Sequence, residues 1–320
     1  MLFLSGSSKP AFGAAALLCA AALLLCGCSR TAAEAANLEA LAQDTDAQAY
    51  AAQRASSVAL PKTGGDVAFE NEFVAIRTDT ADSGYISVTC QSLGDETLKL
   101  QIAKGDKLYY YDLRESGDPL IFPLQMGDGA YTVTLFSQVE GDLYATVVSL
   151  AVDVALADPF APFLLPNDYV DYDDGSEAVR ASFLLSKDAE TDLERVSSVF
   201  AYITENIRYD YDKAALVTDG ALTGYLPDVD ETLETGKGIC FDYAALFAAM
   251  LRANGIPAKL VTGYVQPENV FHAWNMIFIT DVGWINAEIQ FDGVNWQLAD
   301  PTFTASDSTK GATYTPVNEY

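Results

Sequence analysis

The chain holds one histidine, His272, in 320 residues. A zinc centre built from two or three imidazoles is therefore excluded, and any chemistry that needs a histidine must run through that position. Positive charge is also scarce, with 18 Lys and Arg against 45 Asp and Glu and a formal net charge of -27. An anionic surface of this size repels phosphate backbones, which argues against a nucleic-acid partner. Cysteine occurs only at Cys19, Cys26, Cys28, Cys90 and Cys240, so each can be weighed singly. Apolar residues are plentiful. Half of the chain is hydrophobic and 20% is charged, enough to pack cores for about two domains and too apolar for wholesale disorder.

Lys9 is the only charged residue before Arg30, and Ala11 to Leu25 form an uncharged run of 15 residues. A membrane-spanning helix needs about 20 apolar residues, so the run suits the core of a signal peptide better. It ends in Leu25-Cys26-Gly27-Cys28, which resembles a bacterial lipobox, where the peptide is cut before the cysteine and a lipid is attached to it. A plain secretory signal and an uncleaved anchor helix are the other readings; the motif and the run together favour the lipobox. Residues 1–27 are thus expected to be a signal peptide and Cys28 a lipidation site. The protein would then be exported and anchored to the membrane by lipid, facing the extracellular or periplasmic side. Residues 28–65 are rich in alanine, with only Leu38 and Leu41 to anchor a helix face, and are expected to form a partly helical tether. Cys90 shares a strand face with Ile86 and Val88 and is expected as a small buried core residue, with no bridge to Cys240.

Residues 66–157 alternate with period two, as in Leu98, Leu100 and Ile102 or Tyr131, Val133 and Leu135, and breakers such as Gly127-Asp128-Gly129 separate the runs. Short alternating strands with polar turns predict an all-β sandwich of immunoglobulin-like size. Three prolines between Asp158 and Pro166 mark a boundary, and residues 158–186 are read as linker and lead-in. Residues 187–320 form the third part. Leu193, Val196, Val199, Phe200, Ile203 and Ile207 predict an amphipathic helix over 187–208. A loop with Gly220, Gly224 and Pro227 follows, then a helix opening at Cys240 and ended by Asn254-Gly255 and Pro257, then strands over 258–303. Helices first and sheet after predict an α+β domain.

Three residues stand out as chemistry. Cys240 falls in the first turn of its helix, where unpaired N–H groups and the helix dipole favour a thiolate. Gly238, two residues earlier, leaves room for a substrate to approach the backbone, and the Cys240 N–H could face a developing oxyanion. His272 lies on a strand whose Trp274, Met276 and Phe278 share its face, and Asp300 closes a strand just before Pro301. Each also has a plainer reading: a buried structural thiol, a core imidazole, a turn-forming Asp before proline.

Taken together, Gly-Lys-Gly-Ile before Cys240, His272-Ala273-Trp274 on a strand 32 residues later and Asp300-Pro301-Thr302 a further 28 residues on resemble the transglutaminase-like superfamily. Asn206-Ile207-Arg208-Tyr209-Asp210 also looks like the segment that precedes the nucleophile in bacterial members. The resemblance covers roughly residues 190–305 and implies a papain-like Cys-His-Asp triad. Cys240 would attack an amide carbonyl, His272 would take its proton and later protonate the leaving amine, and Asp300 would fix the ring tautomer. No metal or cofactor is implied. The substrate would be a protein or peptide in the cell envelope. Hydrolysis is expected over transfer, because water outside the cell far outnumbers amines and nothing in the sequence marks a dry acceptor channel; Trp274, Tyr264 and Tyr225 could line one but suit the core equally. The alternative is a catalytically silent envelope module that keeps the fold to bind peptide or cell-wall material. For the N-terminus the expected outcome is direct: intact mass of the membrane fraction shows a lipid on a chain beginning at Cys28, and Cys28→Ser releases the protein or leaves precursor uncut. An unmodified mature chain beginning elsewhere would end the lipoprotein reading.

Overall fold

The computed structural model describes residues 38–91, 93–266, 270–291, 296–299 and 313–320. Cys28 and the expected signal peptide lie outside them. Two short helices come first, α1 (Leu38–Leu41) and α2 (Thr45–Ala55). The partly helical segment expected as a tether does not hang free. Ala47 and Ala51 are buried, and α2 packs against a later helix, α3 (Glu177–Leu185), with the Arg54 guanidinium over the Phe183 ring at 5.4 Å. Alanines permit this docking because they let two helix backbones approach closely.

Residues 67–154 form eight strands: β1 (Val67–Glu70), β2 (Val74–Arg77), β3 (Tyr85–Cys90), β4 (Leu98–Lys104), β5 (Lys107–Asp112), β6 (Leu120–Pro123), β7 (Gly129–Glu140) and β8 (Leu143–Val154). They make two antiparallel sheets of four, ordered β1-β2-β3-β6 and β5-β4-β7-β8. Leu98, Leu100 and Ile102, like Tyr131, Val133 and Leu135, are buried as their alternation predicts. Tyr111 of the second sheet meets Phe122 of the first edge-on at 4.8 Å, so the two sheets share a core. Cys90 is buried within it, and both Cys90 and Cys240 are free thiols.

Beyond this lies a mixed α/β unit. Its helices are α3, α4 (Asp192–Asn206), α5 (Tyr211–Thr218), α6 (Val229–Thr235) and α7 (Cys240–Ala253). The short parallel strands β9 (Arg208–Tyr209) and β10 (Lys237–Gly238) lie among them. The strands β11 (Ala258–Gln266), β12 (Val270–Ile279), β13 (Gly283–Phe291), β14 (Trp296–Ala299) and β15 (Thr313–Glu319) then form one antiparallel sheet ordered β14-β13-β12-β11-β15. Helix α4 starts later than the expected residue 187, because Thr191 and Glu194 form a capping box there, just ahead of Leu193. Helix α3 falls within the segment expected as linker. It is buried on nearly every face and so shows no amphipathic stripe to read.

Helix α7 is the centre of the unit. Every residue from Asp242 to Ala253 is buried, between β11 and β12 on one side and α3, α4 and α6 on the other. Its far end is held by Arg252, 1% exposed, whose guanidinium donates to the carbonyls of Ala258 at 2.9 Å, Leu165 at 2.7 Å and Tyr320 at 2.8 Å. Tyr320 in turn pairs through its backbone with Leu260, stacks on Tyr169 at 4.1 Å and reaches Tyr111 of the β unit at 6.1 Å. One guanidinium thus ties helix, sheet and linker together where the two units meet. Arg252→Met would strand these buried carbonyls, and a stability loss of about 3 kcal/mol, or roughly 5–10 °C in melting temperature, is expected in a thermal scan. A variant that melts with the wild type would remove Arg252 from this role.

Candidate active site

The turn that presents Cys240 is built from both sides. Strands β9 and β10 bring Asn206-Ile207-Arg208-Tyr209-Asp210 alongside Lys237-Gly238, with the Arg208 N–H donating to the Gly236 carbonyl and the Asp210 N–H to the Gly238 carbonyl, both at 2.9 Å. Gly236 ends α6 in the left-handed region at φ +61°, where a side chain would be strained. Cys240 is the first residue of α7, as the sequence predicts. Ile239 precedes it in extended conformation, and its N–H donates to Asp242 Oδ2 at 2.7 Å. This is half of a capping box, since isoleucine offers no acceptor in return. Gly238 also answers a constraint within the chain. A Cβ there would stand 2.7 Å from the Asp242 Cβ, so the glycine makes room for this carboxylate.

His272 reaches the thiol because the sheet forks. Strand β13 pairs with β12 only from Ile279↔Gly283 to Asn275↔Ala287, and then continues alongside β14. At His272–Trp274 the described pairing of β12 is to β11 alone, which leaves its other edge open to the start of α7. The fork is fastened by Asn275. Its buried side-chain amide donates to the Ala244 carbonyl of α7 at 2.9 Å and to the Lys259 carbonyl of β11 at 3.2 Å.

The Cys240 thiol is half-buried and hydrogen-bonded to His272. Burial alone would push its pKa up. The imidazole hydrogen bond, the imidazole's charge and the backbone amides of Ala273 and Phe241 outweigh burial and bring the thiol below its ordinary value. Cys90 makes the contrast: burial pushes its thiol up to about 11. The two thiols are therefore shifted in opposite directions, Cys90 upward by burial in the core and Cys240 downward beside an imidazole.

Asp300 lies outside the described residues; β14, which leads toward it, ends at Ala299 paired with Glu288. Of the three candidates, the structure brings together Cys240 and His272. Two residues that matter here escaped the sequence reading. Asp242, an acid at the third position of a helix, carries a capping signature, whereas Asn275 had no signal beyond being polar in an apolar strand. Among the described residues, no three His, Cys, Asp or Glu side chains gather closely enough to hold a metal ion.

Human kyphoscoliosis peptidase is 32% identical to the chain over 129 residues, which is 37% of this chain and 17% of that protein. The chain therefore spans about a sixth of its relative's length. A solved Cytophaga hutchinsonii structure, provisionally described as a cysteine protease, is 15% identical over 81% of this chain and 82% of the other, with a TM-score of 0.35. Red sea bream transglutaminase is 13% identical over 64% of this chain and 47% of that one, with a TM-score of 0.24. Scores of that size do not by themselves establish a shared fold. The family match is more specific: residues 181–289 fit the model of the transglutaminase-like superfamily, and that span contains Cys240, His272, α7 and the fork in the sheet, while Asp300 falls after it. The likeness to the transglutaminase-like superfamily thus rests on residues 181–289, about a third of the chain.

Proposed function

We propose that the protein is a cysteine acyl-hydrolase of the cell envelope, acting on amides of proteins or peptides. The observation that carries this reading is the hydrogen bond between a depressed thiol at a helix N-terminus and the chain's single imidazole. In the proposed mechanism the Cys240 thiolate adds to the amide carbonyl, and the helix N–H groups face the oxygen as it gains charge. The tetrahedral intermediate collapses as His272 protonates the leaving amine. His272 then takes a proton from water, which attacks the thioester and frees the acid. Asp300 would orient the ring and stabilise the imidazolium. The immunoglobulin-like character of residues 67–154 belongs to the same proposal. It is supported by a chain that crosses between two antiparallel sheets after β3, β5 and β6, as sandwich connections do. So do the lipid anchor at Cys28 and the envelope setting, supported by the apolar run before Cys28.

Cys240→Ala and His272→Ala are each expected to lower peptide-amide turnover by about a thousandfold or more with little change in melting, since the two groups act as a unit. Asp300→Asn should keep the fold and lose activity, because an amide can hold the ring in the wrong tautomer. Wild-type turnover in Cys240→Ala would remove the mechanism and leave the reading of a silent peptide-binding module. The fate of the acyl-enzyme is decided by supplying a glutamine-containing peptide with a labelled primary amine and weighing both products by mass. Free acid is expected to dominate; an excess of amine adduct at millimolar amine would make the protein a cross-linking enzyme.

A further inference from the structure

Behind the nucleophile lies a polar network that the proposed reaction does not itself use. Asp242, two residues after Cys240, is fully buried. Its Oδ2 accepts from the Ile239 N–H at 2.7 Å and lies 3.3 Å from Lys213 Nζ, and its Oδ1 accepts from the Tyr225 hydroxyl. Lys213 Nζ also donates to the Tyr225 hydroxyl at 2.8 Å and lies over the ring. Both partners come from the segment of α5 and the loop after it. None of the residues of α5 is buried. What fixes the start of α5 is Asp210, whose carboxylate caps Lys213 at 2.9 Å while its own N–H bonds Gly238. The same short stretch therefore grips the Cys240 turn at two points, Gly238 and Asp242.

We infer that Lys213 and Tyr225 are positioning residues, which hold and neutralise the Asp242 carboxylate under the Cys240 turn and so set the reactivity of the thiol. The inference rests on the reading of Cys240 and His272 as a reacting pair. Its physical basis is charge. A buried carboxylate near a thiol disfavours the thiolate, and an ammonium in contact with that carboxylate cancels the effect. The titratable groups that act on the thiol directly are His272 from β12 and Tyr209 from β9, while Asp242 lies two residues on in the same helix, with Lys213 and Tyr225 in contact behind it. Without Lys213 the thiol would face an uncompensated negative charge, and its pKa would rise. Without the Tyr225 hydroxyl the shift would have the same sign and be smaller.

The test measures alkylation of Cys240 by iodoacetamide across pH in the full chain, resolved by peptide mass, alongside melting and kcat and KM on a peptide amide. Lys213→Met is expected to raise the apparent thiol pKa by about one unit, slowing alkylation roughly tenfold at neutral pH. It should lower kcat and leave KM in place. Lys213→Arg should restore the profile. Tyr225→Phe keeps the ion pair and the ring, so it carries the test should Lys213→Met not fold; a slowing of about threefold is expected there, from a shift of about half a unit. Unchanged alkylation profiles in both, even with lowered melting temperatures, would mark the network as merely structural and overturn the inference. His272→Ala separates the two claims. If it shifts the profile while Lys213→Met and Tyr225→Phe do not, the reacting pair stands and the network falls. If His272→Ala also leaves the profile unchanged, the pair falls with it.

Discussion

A helix buried on all sides must satisfy the polar groups at its two ends without water, and much of this molecule can be read as the answer to that demand. Helix α7 has an apolar or small residue at nearly every position, which is why it sits between sheet and helices with no face to solvent. Its first turn is closed by the Asp242 carboxylate and its last by Asn254, whose amide donates back to the Met250 carbonyl at 3.0 Å, while Arg252 in that last turn satisfies carbonyls beyond the helix. Each buried charge needs partners of its own, and those come from far along the chain. Asp242 draws in Lys213 and Tyr225, while Arg252 draws in Leu165 and Tyr320. Capping one helix thus organises both ends of the α/β unit and its junction with the β unit.

The contact between Cys240 and His272 follows from the same arrangement. A thiol at the first residue of a helix buried this deeply is held by the packing of the whole element. What brings the imidazole to it is the divergence of β12 and β13 at Asn275, and Asn275 is also the residue that bonds the helix. Helix, fork and imidazole are therefore fixed by one contact. The open strand edge would ordinarily be a liability, with unpaired amides facing outward. Here the Ala273 amide bonds the Cys240 thiol, so this backbone donor has an acceptor other than a neighbouring strand.

How much of this was legible follows from where each signal resides. Cys240 could be placed at a helix start because local residues bracket the helix: glycines before it, and Asn254, Gly255 and Pro257 after it. The strands of the β unit could be read because burial on one face imposes alternation. The short helices α3 and α5 could not, since α3 is buried on nearly every face and α5 has no buried residue, and neither condition leaves a periodic stripe. Thr191 and Glu194 did mark the start of α4, just ahead of Leu193, the first of its apolar positions, but the capping pair was not used to place the boundary. Gly238 was read for the space it leaves, whereas its neighbour in space is Asp242, four residues on. The fork at Asn275 depends on which strands pair, a non-local fact that no stretch of sequence displays.

A strongly acidic composition opposes a thiolate at close range, yet distance decides otherwise. Two charges 4 Å apart in water interact by about 1 kcal/mol, and at physiological salt exposed charges beyond about 8 Å are largely screened. The surplus of acids on the surface therefore weighs little against donors in contact with the sulfur. Within that radius the balance reverses: an imidazole, two backbone amides and the helix start favour the anion, and the nearby Asp242 carboxylate is matched by an ammonium. The overall charge governs which molecules approach the protein, while these few contacts govern what the thiol does once they arrive.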